Sequence, residues 1–201
     1  MLIEYVAYHG TVPSRVESIL ASGLWPSVNP DDWLGKGAYF FIDGLRDPKE
    51  SAIDWVACSV WDNKTRTFRE DKVAVIKAII RVPADKNFDL REAAKIRAFH
   101  QFRREWIKGR HGGELRVSGR PEVRTYDAEL FDAIKLSQGE CVIVSNFHIQ
   151  LSVRERFLRL DSRIPNVVVL CMITDPDSSI GFEITGVEMF DLPEWTCEGN
   201  G

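Results

Sequence analysis

Residues 2–24 read LIEYVAYHGTVPSRVESILASGL, and the fold turns on how this stretch divides. Over LIEYVAY, residues 2 to 8, apolar and polar side chains alternate near the end, which is the period of a strand. That strand leads straight into His9-Gly10-Thr11. Pro13 suits a first helical position, and Val16, Ile19 and Leu20 share one face at i, i+3, i+4 spacing. Gly23 stands where a helix end is capped, so a helix over 13–22 follows. Strand, short polar corner and amphipathic helix place His9, Gly10 and Thr11 at the end of a strand.

Further along, WPSVNPDDWLGKG (25–37) is rich in Pro, Asp and Gly and reads as a loop feeding the apolar strand AYFFI (38–42). A helix over 47–60 has Pro48 near its start and Ala52, Trp55, Val56 and Ser59 on one side. KVAVIKAIIRV (72–82) has the β-branched content of a central strand. Residues 89–108 carry helical spacing, with Leu90, Ala94, Ile96, Phe99, Phe102 and Trp106 as the expected buried set, before the Gly-rich basic loop RHGGELRVSGRP (110–121). Helices are expected over 127–136 and 152–160, a buried strand at CVIVS (141–145), and late strands at NVVVLCMIT (166–174) and FEITGVEMF (182–190). Strands and helices in this mixed order give an α+β class.

With 201 residues, 44% of them apolar and 28% charged, one domain is expected: a core over 1–160 and an acidic extension over 161–201 packed on it. No apolar run reaches the roughly 20 residues that span a bilayer, and MLIEYVAYHG has neither a basic start nor a long apolar stretch, so a soluble cytoplasmic protein with no membrane partner is expected. Cys58, Cys141, Cys171 and Cys197 stand far apart with no CxxC pair and no His spaced to complete a zinc site. They read as reduced packing residues, with no metal expected. The net charge of -4 is unevenly spread. Arg91 to Arg124 holds ten Lys and Arg against four Asp and Glu, whereas Asp161 to Gly201 holds one basic residue against eight acidic ones. A basic segment invites phosphate-rich partners, and an acidic tail solvates a surface or meets a basic partner.

Three short motifs stand at strand ends. In Tyr8-His9-Gly10-Thr11, a neutral imidazole offers one donor and one acceptor to a vicinal diol, and Gly lets the main chain come close. In Leu34-Gly35-Lys36-Gly37-Ala38-Tyr39-Phe40, a Tyr ring offers a flat π-face to a cationic ring. In Gly139-Glu140-Cys141-Val142-Ile143-Val144-Ser145, a carboxylate at a strand entry accepts from hydroxyls and favours developing positive charge. Each has an ordinary structural alternative: a hydrogen-bonded strand-end histidine, a core aromatic, and an exposed edge carboxylate.

Taken in order, these motifs resemble the His-Tyr-Glu branch of ADP-ribosyltransferases, the poly(ADP-ribose) polymerase and diphtheria-toxin type. The resemblance covers roughly residues 3 to 150 and is densest over 5–57 and 139–149. It implies a split β-sandwich with flanking helices, NAD as co-substrate, and release of nicotinamide as ADP-ribose passes to a macromolecular acceptor. It further implies that His9, Gly10 and Thr11 bind NAD, His9 at the adenosine ribose and Gly10 at the nicotinamide amide. Tyr39 would stack on nicotinamide. Ser51, of the Ser51-Ala52 pair opening a helix, would touch the nicotinamide, and Trp55 would supply a second aromatic wall. Glu140 would be the catalytic carboxylate on the 2′-hydroxyl of the nicotinamide ribose, with His148 where the family often carries Gln.

The chain departs from the family in two ways: Cys141 replaces the Tyr common after the Glu, and no acceptor-loop signature is recognisable. Transfer of a single ADP-ribose unit is therefore expected, by a compact chain similar to bacterial toxins or phage-defence effectors, with an antitoxin or immunity protein as a partner. The acceptor, protein, RNA or DNA, stays open. Arg103, Arg104, Lys108, Arg110, Arg116 and Arg120 suit a nucleic-acid backbone, against the plainer reading of a solvated helix face. The competing functions are an RNA 2′-phosphotransferase, which shares the HGT opening but lacks the Glu strand, and an NAD-fold interaction module without turnover.

Overall fold

The computed structural model describes residues 1–27, 32–111, 127–139, 141–173 and 179–193. In chain order the elements are β1 (Leu2–Thr11), α1 (Pro13–Ser22), β2 (Ala38–Ile42), α2 (Pro48–Val60), β3 (Trp61–Asp62), β4 (Thr67–Phe68), β5 (Lys72–Pro83), β6 (Asn87–Asp89), α3 (Ala93–His111), α4 (Asp127–Gln138), β7 (Val142–Phe147), α5 (Val153–Leu158), β8 (Val167–Met172) and β9 (Gly181–Asp191). Seven strands form one mixed sheet in the order β6-β7-β8-β2-β1-β5-β9, and β3 and β4 form a separate hairpin. The architecture is mixed α and β, as the alternating pattern predicts.

Side chains one residue apart on each strand fall into different cores, as the two-residue period of a strand requires. Phe40, Ile42, Ile76, Ala78, Leu170 and Met172 pack on one face with Ile19 of α1. Phe41, Val75, Ile143, Val169 and Cys171 pack on the other with Ala52 of α2 and Phe131 and Ile134 of α4. The local signals behind the helices are physical ones. Pro13 and Pro48 sit in the first turns of α1 and α2, Asp47 accepts from the Glu50 amide as N-cap of α2, and Gly23 ends α1 at φ 78.

The sheet has a seam. β1 pairs with β5 over ten residues and β2 with β8 over five, but β1 and β2 are paired only through Ala7↔Ile42 and Tyr8↔Phe41. Beyond Tyr8 and Phe41 the two strands part, and the parting falls at His9, Gly10, Tyr39 and Phe40.

Several expectations shift. β1 continues through His9, Gly10 and Thr11, which pair with Ile76, Val75 and Ala74 of β5, so the corner begins only after Thr11. Residues 87–89 form β6, parallel to β7, and the helix starts at Ala93. On α3, Phe99 stacks on Phe131 at 5.0 Å, and Phe102 packs on the same core, whereas Ala94 and Ile96 are exposed. Leu90, ahead of the helix, packs on that core too and Trp106 is half-buried, so of the expected set only Ala94 and Ile96 stand in water. Residues 167–172, expected in an extension, lie in the middle of the sheet between β7 and β2. No helix among the described residues is long and apolar enough to cross a membrane.

Candidate functional site

A cleft opens where β1 and β2 part. Its apolar half, about 350 Å³, is lined by His9, Gly10, Tyr39 and Trp55 together with Trp25, Trp33, Ile149 and Val169. Four of the NAD-site residues expected from sequence therefore line one cavity, although their elements are spread from β1 to α2.

His9 is held by its own strand and by the neighbouring one. Its Nδ1 lies 2.8 Å from the Tyr39 carbonyl oxygen. A carbonyl only accepts, so Nδ1 carries the proton, and in the neutral ring Nε2 is left as an acceptor. Burial holds the imidazole pKa below its ordinary value and favours this neutral form. The Tyr39 hydrogen bond opposes the shift, and the nearby Arg15 guanidinium adds to it. The ring meets Phe40 edge to face at 5.9 Å.

Tyr39 has a different standing. Its hydroxyl donates to the Gly35 carbonyl at 2.6 Å and accepts from the Leu34 amide at 2.9 Å, so the phenol is spent on closing the loop before β2. Burial pushes its pKa up, and the side chain offers a ligand its ring and no free hydroxyl. The same loop is tied from α4. Lys135, 3% exposed, donates to the Leu34 and Lys36 carbonyls at 2.8 and 2.5 Å, and Asp132 accepts from the Lys36 amide at 2.7 Å. Sequence reasoning passed over Lys135 because a single Lys on a helical pattern carries no sign of being buried.

The aromatic wall is wider than the sequence motifs suggest. Trp33 meets Trp55 at 5.8 Å and Phe147 at 5.2 Å between ring centroids. Arg156 lies over the Trp55 ring at 5.1 Å, placed there by α5, which starts at a capping box between Ser152 and Glu155. The two tryptophans of the polar loop 25–37 were the available signal: Trp33 packs on Trp55 and Phe147, while Trp25, 77% exposed, lines the cleft.

Gly10 is required for a reason other than ligand approach. A Cβ there would stand 2.3 Å from the Ala52 carbonyl oxygen and 3.0 Å from Val56 Cβ, so its absence lets α2 close on β1. Thr11 lies outside the aromatic half and lines a second, polar cavity beside it. Ser51 is 1% exposed, donates to the Asp47 carbonyl at 2.8 Å, and lines neither cavity.

Glu140 lies outside the described residues, but the strand it precedes is clear. β7 runs antiparallel to β8, and β8 antiparallel to β2, with Ile143, Cys171 and Tyr39 in one row across the sheet. β7 and β2 therefore begin at the same end of the sheet, where β1 ends. β8 stands between them, which sets β7 and β2 about 10 Å apart. His148, just past β7, is mostly buried, with Nδ1 unpartnered and Nε2 3.7 Å from Asp161.

Of the basic segment, Arg103, Arg104 and Lys108 are exposed on α3, and Lys108 pairs with Glu105 at 3.2 Å. Arg116 and Arg120 and the side chain of Arg110 lie outside the described residues. The described acidic residues of β9 face other cations: Glu183 pairs with Arg81, Glu188 with Lys49 and Asp191 with Lys72. Cys58, Cys141 and Cys171 are buried free thiols, burial pushing Cys141 up to about 11, while Cys197 lies outside the described residues. No cluster of metal-ligating side chains occurs among the described residues. No protein-family model matches the chain, and no curated protein matches it.

Proposed function

We propose that this chain is an NAD-dependent ADP-ribosyltransferase, built on an ADP-ribosyltransferase-like split sheet, that transfers one ADP-ribose unit to a macromolecule and releases nicotinamide. The observation that carries the reading is the state of His9: its Nδ1–H is spent on the Tyr39 carbonyl, which leaves Nε2 as an acceptor, and the residue lines both an aromatic cavity and a polar one. A flat cationic ring suits the Tyr39, Trp33 and Trp55 end, and a sugar hydroxyl suits Nε2. Tyr39 supplies a surface and the aromatic walls exclude water. Glu140, at the entry to β7, is the carboxylate assigned to the ribose 2′-hydroxyl and to the positive charge that grows as the glycosidic bond breaks.

The acceptor is the open half of the reaction. Arg103, Arg104 and Lys108, exposed on α3, favour a nucleic-acid backbone. On this reading the chain acts as a toxin or defence effector held in check by an inhibitory partner.

Incubation with labelled NAD and separate protein, RNA and DNA pools tests this directly. Label in one pool and free nicotinamide, both absent with Glu140→Ala, are expected. No nicotinamide and no labelled pool would remove the enzymatic assignment.

A further inference from the structure

The polar cavity, about 450 Å³, adjoins the aromatic cleft, and His9, Gly10 and Trp55 line both. It is lined further by Thr11, Arg15 and Arg69, and by the carboxylate of Glu70. Arg15 projects from the first turn of α1 and is exposed, while Arg69 follows the β3–β4 hairpin. Neither guanidinium forms an ion pair with a carboxylate among the described residues.

Arg69 is nonetheless fixed. Its Nη2 donates to the Ser59 carbonyl at 2.7 Å and its Nε to the Val60 carbonyl at 3.4 Å, which anchors one edge of the guanidinium to the end of α2. Capping a helix end accounts for that edge and leaves the Nη1 edge unused. Thr11, 5% exposed, lines the cavity, and its hydroxyl has no partner among the described residues. The N-cap of α1, Val12, supplies no side-chain hydrogen bond, and the first turn holds no acidic residue. Two guanidiniums without an ion-pair partner among the described residues, one of them held by α2, an unpartnered hydroxyl and a helix start with no side-chain cap meet at one pocket, with Glu70 the one carboxylate among the residues that line it. This donor set matches a tetrahedral oxyanion rather than a sugar or a base.

We propose that Arg15, Arg69 and Thr11 form a phosphate subsite, so that the molecule filling the cleft carries a pyrophosphate on one side of His9 and a flat ring on the other. The subsite deepens the NAD reading and rests on it for the ring end alone.

The test is calorimetric binding of inorganic pyrophosphate, ADP-ribose and nicotinamide to the whole chain, with Arg15→Gln, Arg69→Gln and the double variant. Lys64→Gln, an exposed charge on the hairpin, is the control. Each arginine variant should weaken pyrophosphate and ADP-ribose about tenfold or more, with nicotinamide and the Lys64 variant unchanged. Raising salt should weaken the wild type more than the double variant. Arg69→Gln also loses contacts to the end of α2; if it fails to fold, Arg15→Gln decides, since that exposed side chain makes no hydrogen bond among the described residues.

Unchanged pyrophosphate affinity in Arg15→Gln would overturn the subsite, as would simultaneous binding of pyrophosphate and ADP-ribose, which would move the phosphate to a separate substrate. Arginine-dependent pyrophosphate binding without nicotinamide release from NAD sinks the transferase and keeps the subsite. Nicotinamide release with arginine-independent binding does the reverse.

Discussion

The imidazole of His9 donates to the main-chain carbonyl of Tyr39 across 2.8 Å, at the point where β1 and β2 stop pairing. A side chain thus bridges the strands where the main-chain ladder ends, and one contact ties together two of the expected NAD-site residues. Replacing His9 separates its two nitrogens. His9→Ala should lose the bridge, at about 1 kcal/mol in chemical denaturation, and lose ADP-ribose binding as well. His9→Asn keeps a donor at the Nδ1 position and has none of the Nε2 acceptor. Its stability should stay near wild type while ADP-ribose binding falls, and equal loss of both by Asn would remove the ligand role of Nε2.

Acid should weaken the same site. Burial holds the folded pKa of His9 below its ordinary 6.5, so the unfolded chain takes up a proton first as pH falls. The stabilising share of His9 is complete above 6.5 and declines as pH drops from there through the folded value. Protonation also removes the Nε2 acceptor, so ligand affinity should fall over the same window. NMR titration of the His9 ring beside calorimetry at each pH reads both. A His9 that titrates at or above 6.5 would contradict the burial argument.

Gly10→Ala should act through packing. The added Cβ would sit 2.3 Å from the Ala52 carbonyl oxygen, backbone of α2 that cannot rotate away. The helix must shift, at about 1–3 kcal/mol. Because α2 carries Trp55, the variant should also alter tryptophan fluorescence without any ligand present. Wild-type stability and an unchanged spectrum would show that α2 has room.

Most of the elements were legible in the sequence because their signals are local. The alternation over 2–8, Pro13, Gly23, Pro48 and the β-branched run 72–82 each act within one turn or one strand, and α1, β2, α2 and β5 lie where they point. The misreadings are non-local. β6 is three residues long and exists because β7 lies beside it; nothing in Asn87-Phe88-Asp89 by itself asks for a strand. Ile96 fits a helical stripe, yet it stands exposed on α3, whereas Phe99 on the same helix stacks on Phe131 of α4. At the site, His9, Gly10, Tyr39 and Trp55 were legible as strand-end and helix residues. Trp33, Arg69 and Lys135 were not, since their roles depend on elements distant in sequence that fold back over the same loop or helix end.

Lys135 is the strongest case of that kind, and its removal separates loop order from ligand contact. Its ammonium is almost fully buried, 2.8 Å from the Leu34 carbonyl, 2.5 Å from the Lys36 carbonyl and 3.8 Å from Asp132, and it lines no part of the cleft. Lys135→Met keeps much of the volume and leaves two carbonyls and a carboxylate without their cation. Stranded buried acceptors cost about 1–3 kcal/mol each, so a loss of at least about 2 kcal/mol in chemical denaturation is expected. The loop it ties runs directly into Tyr39, whose own hydroxyl bonds Gly35 and Leu34 in the same turn. Loosening that turn should disturb the Tyr39 ring, and nicotinamide affinity should fall although Lys135 touches no ligand. Pyrophosphate binding depends on α1 and the hairpin at the other side of His9, and it should hold. Equal weakening of nicotinamide and pyrophosphate would mean that Lys135 supports the whole fold and not the aromatic end of the cleft.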